Sequence, residues 1–233
     1  MLRFDGFSPT ALAFFKALSF HQDREWFHEN KALYEDEVKA PMLNLLEVLS
    51  ERFEKAGIPL RGDKRGMFRI HRDVRFAKDK RPYQTHASAV LTPSGTKGDP
   101  GLVYVHISPD GLSSWADGQQ GSFVAAGFHQ PDKDVLTAVR AYMRKDPERF
   151  LEMEAKLNKA KLKLGTSNQL TRVPRGFEDM KGSPVESALR LKGLIVEEPL
   201  AESVVTGPKL VDAIVKFAQR ARPVLDFGWE AIG

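Results

Sequence analysis

The period of the apolar residues changes twice along this chain, and that order constrains the fold more than any other feature. Apolar residues recur at helical spacing over 8–57, alternate with polar residues over 66–128, and return to helical spacing over 131–164. Helices followed by a group of strands and then by helices favour an α+β fold. We expect an antiparallel sheet of about five strands, arranged as a meander and packed by N-terminal and C-terminal helices.

Capping residues and helix breakers predict where the first helices begin and end. Ser8 followed by Pro9 is a combination preferred at a helix start. Asp23 is expected to cap a second helix, and Pro41 to begin a third. Gly57 follows the apolar stripe of the third helix, where glycine readily takes the left-handed conformation that ends a helix.

Turn-forming residues separate most of the expected strands. The strands are 67–76, 85–91, 102–108, 112–117 and 122–128. A loop-rich segment is expected over 165–205, and a C-terminal helix over 206–222, where Pro223 breaks it. We interpret the whole of 1–233 as a single domain.

The composition excludes several classes of protein. The chain has no cysteine, which excludes disulfides, thiolate metal sites and a cysteine nucleophile, and fits a cytoplasmic protein. The N-terminus lacks the long apolar run of a signal peptide, and no stretch is long enough to cross a membrane. The sequence also lacks the glycine motifs of P-loop, dinucleotide-binding and α/β-hydrolase enzymes, and no motif names a cofactor.

One short segment carries the net charge of the chain. Residues 68–87 contain six Lys and Arg and two Asp, a net charge of +4 that equals the formal net charge of the whole protein. The rest of the chain is balanced, with 29 Lys and Arg against 29 Asp and Glu. This modest total disfavours a nucleic-acid partner without excluding it, and the oligomeric state is left open.

If residues 67–76 form a strand, their side chains alternate between two faces. One face is apolar except for Arg72, and a half-buried guanidinium is costly unless a carboxylate or a bound anion meets it. The sequence therefore predicts a partner for Arg72. The polar side chains of the other face would line a ligand pocket or lie in water. They are Arg69, His71, Asp73 and Arg75.

The basic loop that follows, 78–83, offers further groups for an anion. Lys80 provides a point charge and the nearby Arg75 a planar fork, both suited to phosphate or carboxylate. Arg172 and Arg175, from a later Arg-Val-Pro-Arg sequence, would join this site across the fold.

Three histidines lie on the expected strands, at 71, 86 and 106. If the strand register brings His71, His86 and His106 together, they could bind zinc or another divalent metal, or relay protons. Solvent exposure or ordinary hydrogen bonding is the simpler interpretation. Because no motif has metal-ligand spacing, we assign no metal.

The basic segment also resembles the signature of the domain of unknown function 2461 family of bacterial and fungal proteins. The matching residues are Arg69, Ile70, Arg72, Asp73, Arg75, Phe76, Asp79, Lys80, Pro82 and Tyr83. Two other pieces are similar to family elements, one around Trp26 and Tyr34 and one from Arg172 to Lys192. The resemblance implies that a functional site lies in the basic segment, but it implies no particular ligand or reaction.

Three functions remain open. The first is binding of a small anionic ligand that carries phosphate or carboxylate. Its expected binding residues are Arg69, Arg72, Arg75, Asp79, Lys80, Tyr83, Arg172 and Arg175. The second is a hydrolase or phosphoryl-transfer enzyme in which Asp73 or His71 acts as the general base. The third is a non-catalytic scaffold in which Asp73 and Asp79 pair with the cations in a structural network.

Overall fold

The computed structural model describes residues 2–111 and 121–233, which build an antiparallel sheet packed by helices. The described strands are β1 Ala87–Leu91, β2 Leu102–Ile107, β3 Ser122–Phe128 and β4 Leu194–Leu200. They lie in the order β1-β2-β3-β4, each antiparallel to its neighbours. The α+β class and the meander order are confirmed, but this part of the chain has four strands instead of about five. The expected strand 112–117 lies outside the described residues.

The expected strand 67–76 is wrong, because this segment divides its backbone hydrogen bonds between two partners. Its start lies beside β1, where Met67 forms an isolated bridge with Ala89. It then leaves the sheet, and His71 bridges to Tyr83 within the segment's own return path. The alternation of apolar and polar residues in the sequence is therefore not sufficient to form a strand here.

Strand β4 was missed, since it lies in the segment expected to be loop-rich. It pairs with β3 along its whole length, from Ser122 opposite Leu200 to Phe128 opposite Leu194. Pro199 and the two glutamates before it interrupt the apolar pattern by which a strand is predicted. An edge strand nevertheless tolerates proline.

The N-terminal helices begin as predicted. Helix α1 is Pro9–Phe20 and is capped by Ser8; helix α2 is Arg24–Glu29 and is capped by Asp23. The second helix ends at Asn30 and is followed by α3 Lys31–Tyr34, a π-helical turn Glu35–Lys39 and α4 Ala40–Lys55. Gly57 ends α4 as predicted: its φ is +66°, and the next amide, of Ile58, donates to the carbonyl of Phe53.

The remaining helices cover the sheet. They are α5 Lys133–Lys145, α6 Pro147–Lys159, α7 Glu186–Leu189, α8 Glu202–Val205 and α9 Leu210–Ile232. The prediction that the last helix spans 206–222 and breaks at Pro223 is wrong, because α9 begins at Leu210 and continues through the proline. A proline inside a helix costs about 3 kcal/mol. Burial of Val224, Leu225 and Phe227 offsets that cost, at about 1.5–3 kcal/mol each.

Helix α9 packs against β3 and β4, and α4 packs against β1 and α9. Most of the sheet face beneath them is buried and apolar, with Val103, Val105 and Val124 at its centre. Its opposite face carries polar and aromatic groups that include Tyr104 and His106. None of the described helices has both the length and the apolar character needed to span a membrane. The assignment of 1–233 to one domain stays a prediction.

Candidate functional site

Residues 71–83 form an irregular hairpin, which we call the basic hairpin. The amide of Arg72 donates to the carbonyl of Pro82 at 2.8 Å, and the amide of Gln84 donates to the carbonyl of Ile70 at 2.7 Å. The hairpin is anchored next to α1, since the amide of Tyr83 donates to the side-chain oxygen of Gln22 at 3.0 Å. The backbone of this loop is therefore held at its base.

Arg72 has the partner that the sequence predicts. Its Nη1 lies 3.0 Å from Oδ2 of Asp79 and donates to the carbonyl of Arg81 at 2.7 Å. Arg81 also donates to Asp79, through Nε and Nη2. Hydrogen bonds from Arg81 are the main cause that lowers the pKa of the Asp79 carboxyl. The guanidinium of Arg72 and the carboxylate of Asp79 are thus paired with groups inside the hairpin.

Arg75 and Lys80 also have partners within the basic hairpin. The guanidinium of Arg75 donates to both oxygens of Asp73, at 3.0 and 2.7 Å. Lys80 Nζ donates to the carbonyl of Val74 at 3.0 Å and to that of Arg75 at 3.3 Å. The bond from Arg75 lowers the pKa of the Asp73 carboxyl, which makes this residue a weaker general base.

Beside the hairpin lies an open groove of about 490 Å³, which we call the basic groove. This volume is in the range of small-molecule sites. Its lining includes five Lys and Arg residues, one histidine and a single carboxylate. These are Lys31, Lys39, Lys64, Arg69, Lys97, His71 and Glu35. The carboxylate of Glu35 is already paired with Lys39, at 2.6 Å.

Four elements bring these side chains together. Lys31 comes from α3, Glu35 and Lys39 from the π-helical turn, and Lys97 from the turn between β1 and β2. The irregular segment after Gly62 supplies the opposite wall, from Lys64 to His71. A π-helical turn is rare, and such turns are frequent at functional sites. Because its lining comes from four separate parts of the chain, the groove forms only in the folded protein.

The apolar part of the groove is built from packed rings. Phe27 stacks on Tyr83 with 4.5 Å between ring centroids, and the ring of His71 contacts both. Tyr34 packs against Phe27, and burial raises the pKa of its phenol to about 12. The phenol therefore stays neutral at physiological pH.

Four cations of the groove are not paired with a carboxylate. The side chains of Lys31, Lys64 and Arg69 have no hydrogen bond or ion pair within the described ranges. Lys97 lies over the ring of Phe68, with Nζ 4.9 Å from the centroid. The charge of Arg69 contributes to the lowered pKa of Asp73 without contact. The groove thus has a surplus of positive charge that attracts anions.

The structure divides the sequence-predicted residues of the basic segment among three places. Arg69 and His71 line the groove, whereas Arg72, Asp73, Arg75, Asp79 and Lys80 belong to the hairpin network. Tyr83 is buried beneath the hairpin.

Arg172 and Arg175 lie elsewhere. Both are exposed in the segment before Phe177, whose ring packs against Arg144 of α5. In the described part of the chain, no hydrogen bond or ion pair joins either arginine to the hairpin. That they join its anion site stays a prediction.

Two of the three histidines lie together. The rings of His86 and His106 are 4.1 Å apart, while His71 lies against Phe27 and Tyr83. Burial lowers the pKa of His86 to about 4 and that of His106 well below its usual value. Both imidazoles are therefore neutral. Among the residues that the structure describes, no group of three His, Cys, Asp or Glu is arranged to hold a metal.

Together these features define an α+β protein with a meander sheet, a basic hairpin held by internal ion pairs and an open basic groove. The family model of DUF2461, described as a conserved hypothetical protein, matches residues 10–227. The chain belongs to this family, as the resemblance of its basic segment indicates. No curated protein and no solved structure matches the chain. We therefore infer function from the groove itself.

Proposed function

We propose that this protein binds a small anionic ligand, carrying phosphate or carboxylate, in the basic groove. The observation that carries the proposal is a set of four cations around one groove, none of which has a carboxylate partner among the described residues. They are Lys31, Lys64, Arg69 and Lys97. A groove lined by several cations and a single carboxylate, which is itself paired with Lys39, attracts anions.

The groove is a better anion site than the basic hairpin. In the hairpin, an anion would have to displace Asp73 from Arg75, or Asp79 from Arg72 and Arg81. In the groove, the guanidinium of Arg69 offers a planar fork and the lysines offer point charges, with no such competition. The first hypothesis from the sequence is thus kept, with the anion placed in the groove instead of the hairpin.

Thermal unfolding in a panel of anions tests the proposal. Phosphate, sulfate, citrate and nucleotides are compared with chloride at matched ionic strength. An anion at 100 times its dissociation constant adds about 2.7 kcal/mol to the free energy of unfolding. That raises the melting temperature by roughly 5–10 °C in a chain of this size. A panel without any shift would contradict the proposal and favour the structural role of the charges.

Hydrolysis or phosphoryl transfer on an anionic substrate is the second candidate, favoured by the imidazole of His71 in the groove wall. His71 would act as the general base beside Arg69. A panel of phosphate and carboxylate esters tests it with the wild type and His71→Asn. Turnover that is lost in the variant while anion binding persists supports an enzyme, and no turnover by the wild type contradicts it.

We also propose a cytoplasmic location, which the cysteine-free sequence favours. Fractionation of the host cells tests it. Recovery of the protein with the cytoplasmic fraction is expected, and recovery from the medium or an oxidising compartment would contradict it.

A further inference from the structure

Two phenylalanines of the basic segment are exposed beside cations. The side chain of Phe68, in the groove wall, is 40% exposed, and Lys97 lies over its ring. Phe76, on the basic hairpin, is 94% exposed, and the guanidinium of Arg75 lies 5.9 Å from its ring centroid. The ring of Phe68 packs edge-on against Tyr104, whereas the ring of Phe76 adds little to the hydrophobic core and is accessible to a partner outside the fold.

The exposure of Phe76 is built into the hairpin. Backbone hydrogen bonds close the base of the hairpin, the pair Arg72–Asp79 spans Phe76 in sequence, and the pair Arg75–Asp73 lies just before it. Lys80 ties the same turn through two carbonyl oxygens. A loop that is closed at its base and displays an aromatic ring loses less conformational entropy on binding than an unstructured segment, which favours a role as a binding contact.

Unpaired cations along an open groove, with exposed rings nearby, match the chemistry of single-stranded nucleic acid. Proteins that bind such strands combine a positive groove, which follows the phosphates, with aromatic side chains on which the bases stack. Phe68 and Phe76 are eight residues apart, so their Cα atoms are at most about 29 Å apart. A flat lipid surface would reach the hairpin but leave the groove cations unused.

We propose that the basic groove and the basic hairpin together bind a single-stranded polynucleotide. Its bases stack on Phe68 and Phe76, and its phosphates are neutralised by the four unpaired groove cations defined above. The proposal rests on the proposed function of the groove as an anion site, and it extends that site to the hairpin. It requires no sequence preference, because stacking accepts every base.

Fluorescence anisotropy of labelled 12-mer oligouridylate and oligothymidylate tests this proposal. If three or four phosphates are neutralised, affinity falls roughly 20- to 50-fold between 50 and 200 mM salt. Phe76→Ala is expected to weaken binding roughly five- to 100-fold. Phe20→Ala is the control, since Phe20 is 85% exposed at the end of α1, outside the basic segment. Thermal unfolding checks that each variant remains folded.

The outcomes separate this proposal from the one on which it rests. If oligonucleotides bind no better than inorganic phosphate or uridine monophosphate, the proposal of a bound polynucleotide is wrong, while the anion site stands. If no anion binds at all, both fail. Equal losses of oligonucleotide affinity in Phe20→Ala and Phe76→Ala would also contradict the proposal of a bound polynucleotide. So would binding to phosphatidylserine vesicles with no binding to the oligonucleotides.

Discussion

Nη1 of Arg72 lies 3.0 Å from Oδ2 of Asp79, across the basic hairpin. The same carboxylate accepts hydrogen bonds from Arg81, so one aspartate holds two arginines. These arginines belong to the segment that carries the net charge of the chain, yet they stabilise the loop. Anion binding is therefore expected from the groove beside it.

Removing the charge of Asp79 should loosen the hairpin without unfolding the protein. In Asp79→Asn the two arginines lose their charged partner. Hydrogen exchange at the amides of Arg72 and Gln84, which close the hairpin, should rise roughly two- to fivefold. Asp63→Asn is the matched control, because Asp63 pairs with Arg65 at the same two-residue spacing elsewhere. Unchanged exchange in Asp79→Asn would show that the backbone alone holds the hairpin.

The histidine pair predicts a loss of stability on mild acidification. Burial lowers the pKa of His86 to about 4, so between pH 6.5 and 4 the unfolded chain binds more protons than the folded one. The free energy of unfolding therefore falls as the pH falls. His86 alone accounts for about 3 kcal/mol over this window, of which about 2 kcal/mol is lost by pH 5.

Urea unfolding at pH 7.5 and pH 5 measures this dependence. His86→Asn is expected to reduce the difference between the two pH values. Val90→Ala, a truncation of a buried residue on the same face of β1, should lower stability at both without changing the difference. If His86→Asn keeps the wild-type difference, another group is responsible.

Gly228 is predicted to be required for the contact between α9 and β3. A Cβ at this position would overlap the buried ring of Phe128. Gly228→Ala should therefore destabilise the protein by about 1–3 kcal/mol, although alanine favours helix by about 1 kcal/mol. The double variant with Phe128→Leu should lose less than the sum of the two single variants in urea unfolding. Additive losses would argue against the contact.

Features set by neighbouring residues could be predicted from the sequence. Ser8 and Asp23 cap their helices, and Gly57 ends α4, because each signal acts within one turn. Features that depend on distant partners could not. Strand β4 is stabilised by pairing with β3, and the helix at Pro223 by burial of the residues beyond it.

The same distinction applies to the site. The sequence indicates the correct neighbourhood, since Arg69 and His71 of the basic segment line the groove. It does not indicate Lys31, Lys64 or Lys97, which are separated by more than 30 residues and meet only in the folded chain. The pairing of Asp73 with Arg75 is local, and the sequence did raise it as the structural alternative.

The central claim is that the groove, and not the hairpin, binds anions. Isothermal titration calorimetry with inorganic phosphate and citrate, on Arg69→Ala and Arg75→Ala, tests it most directly. The two arginines lie six residues apart, but only Arg75 has a carboxylate partner. Arg69→Ala should weaken anion binding by roughly tenfold or more, and Arg75→Ala should leave it unchanged. Loss of binding in Arg75→Ala with normal binding in Arg69→Ala would contradict the claim.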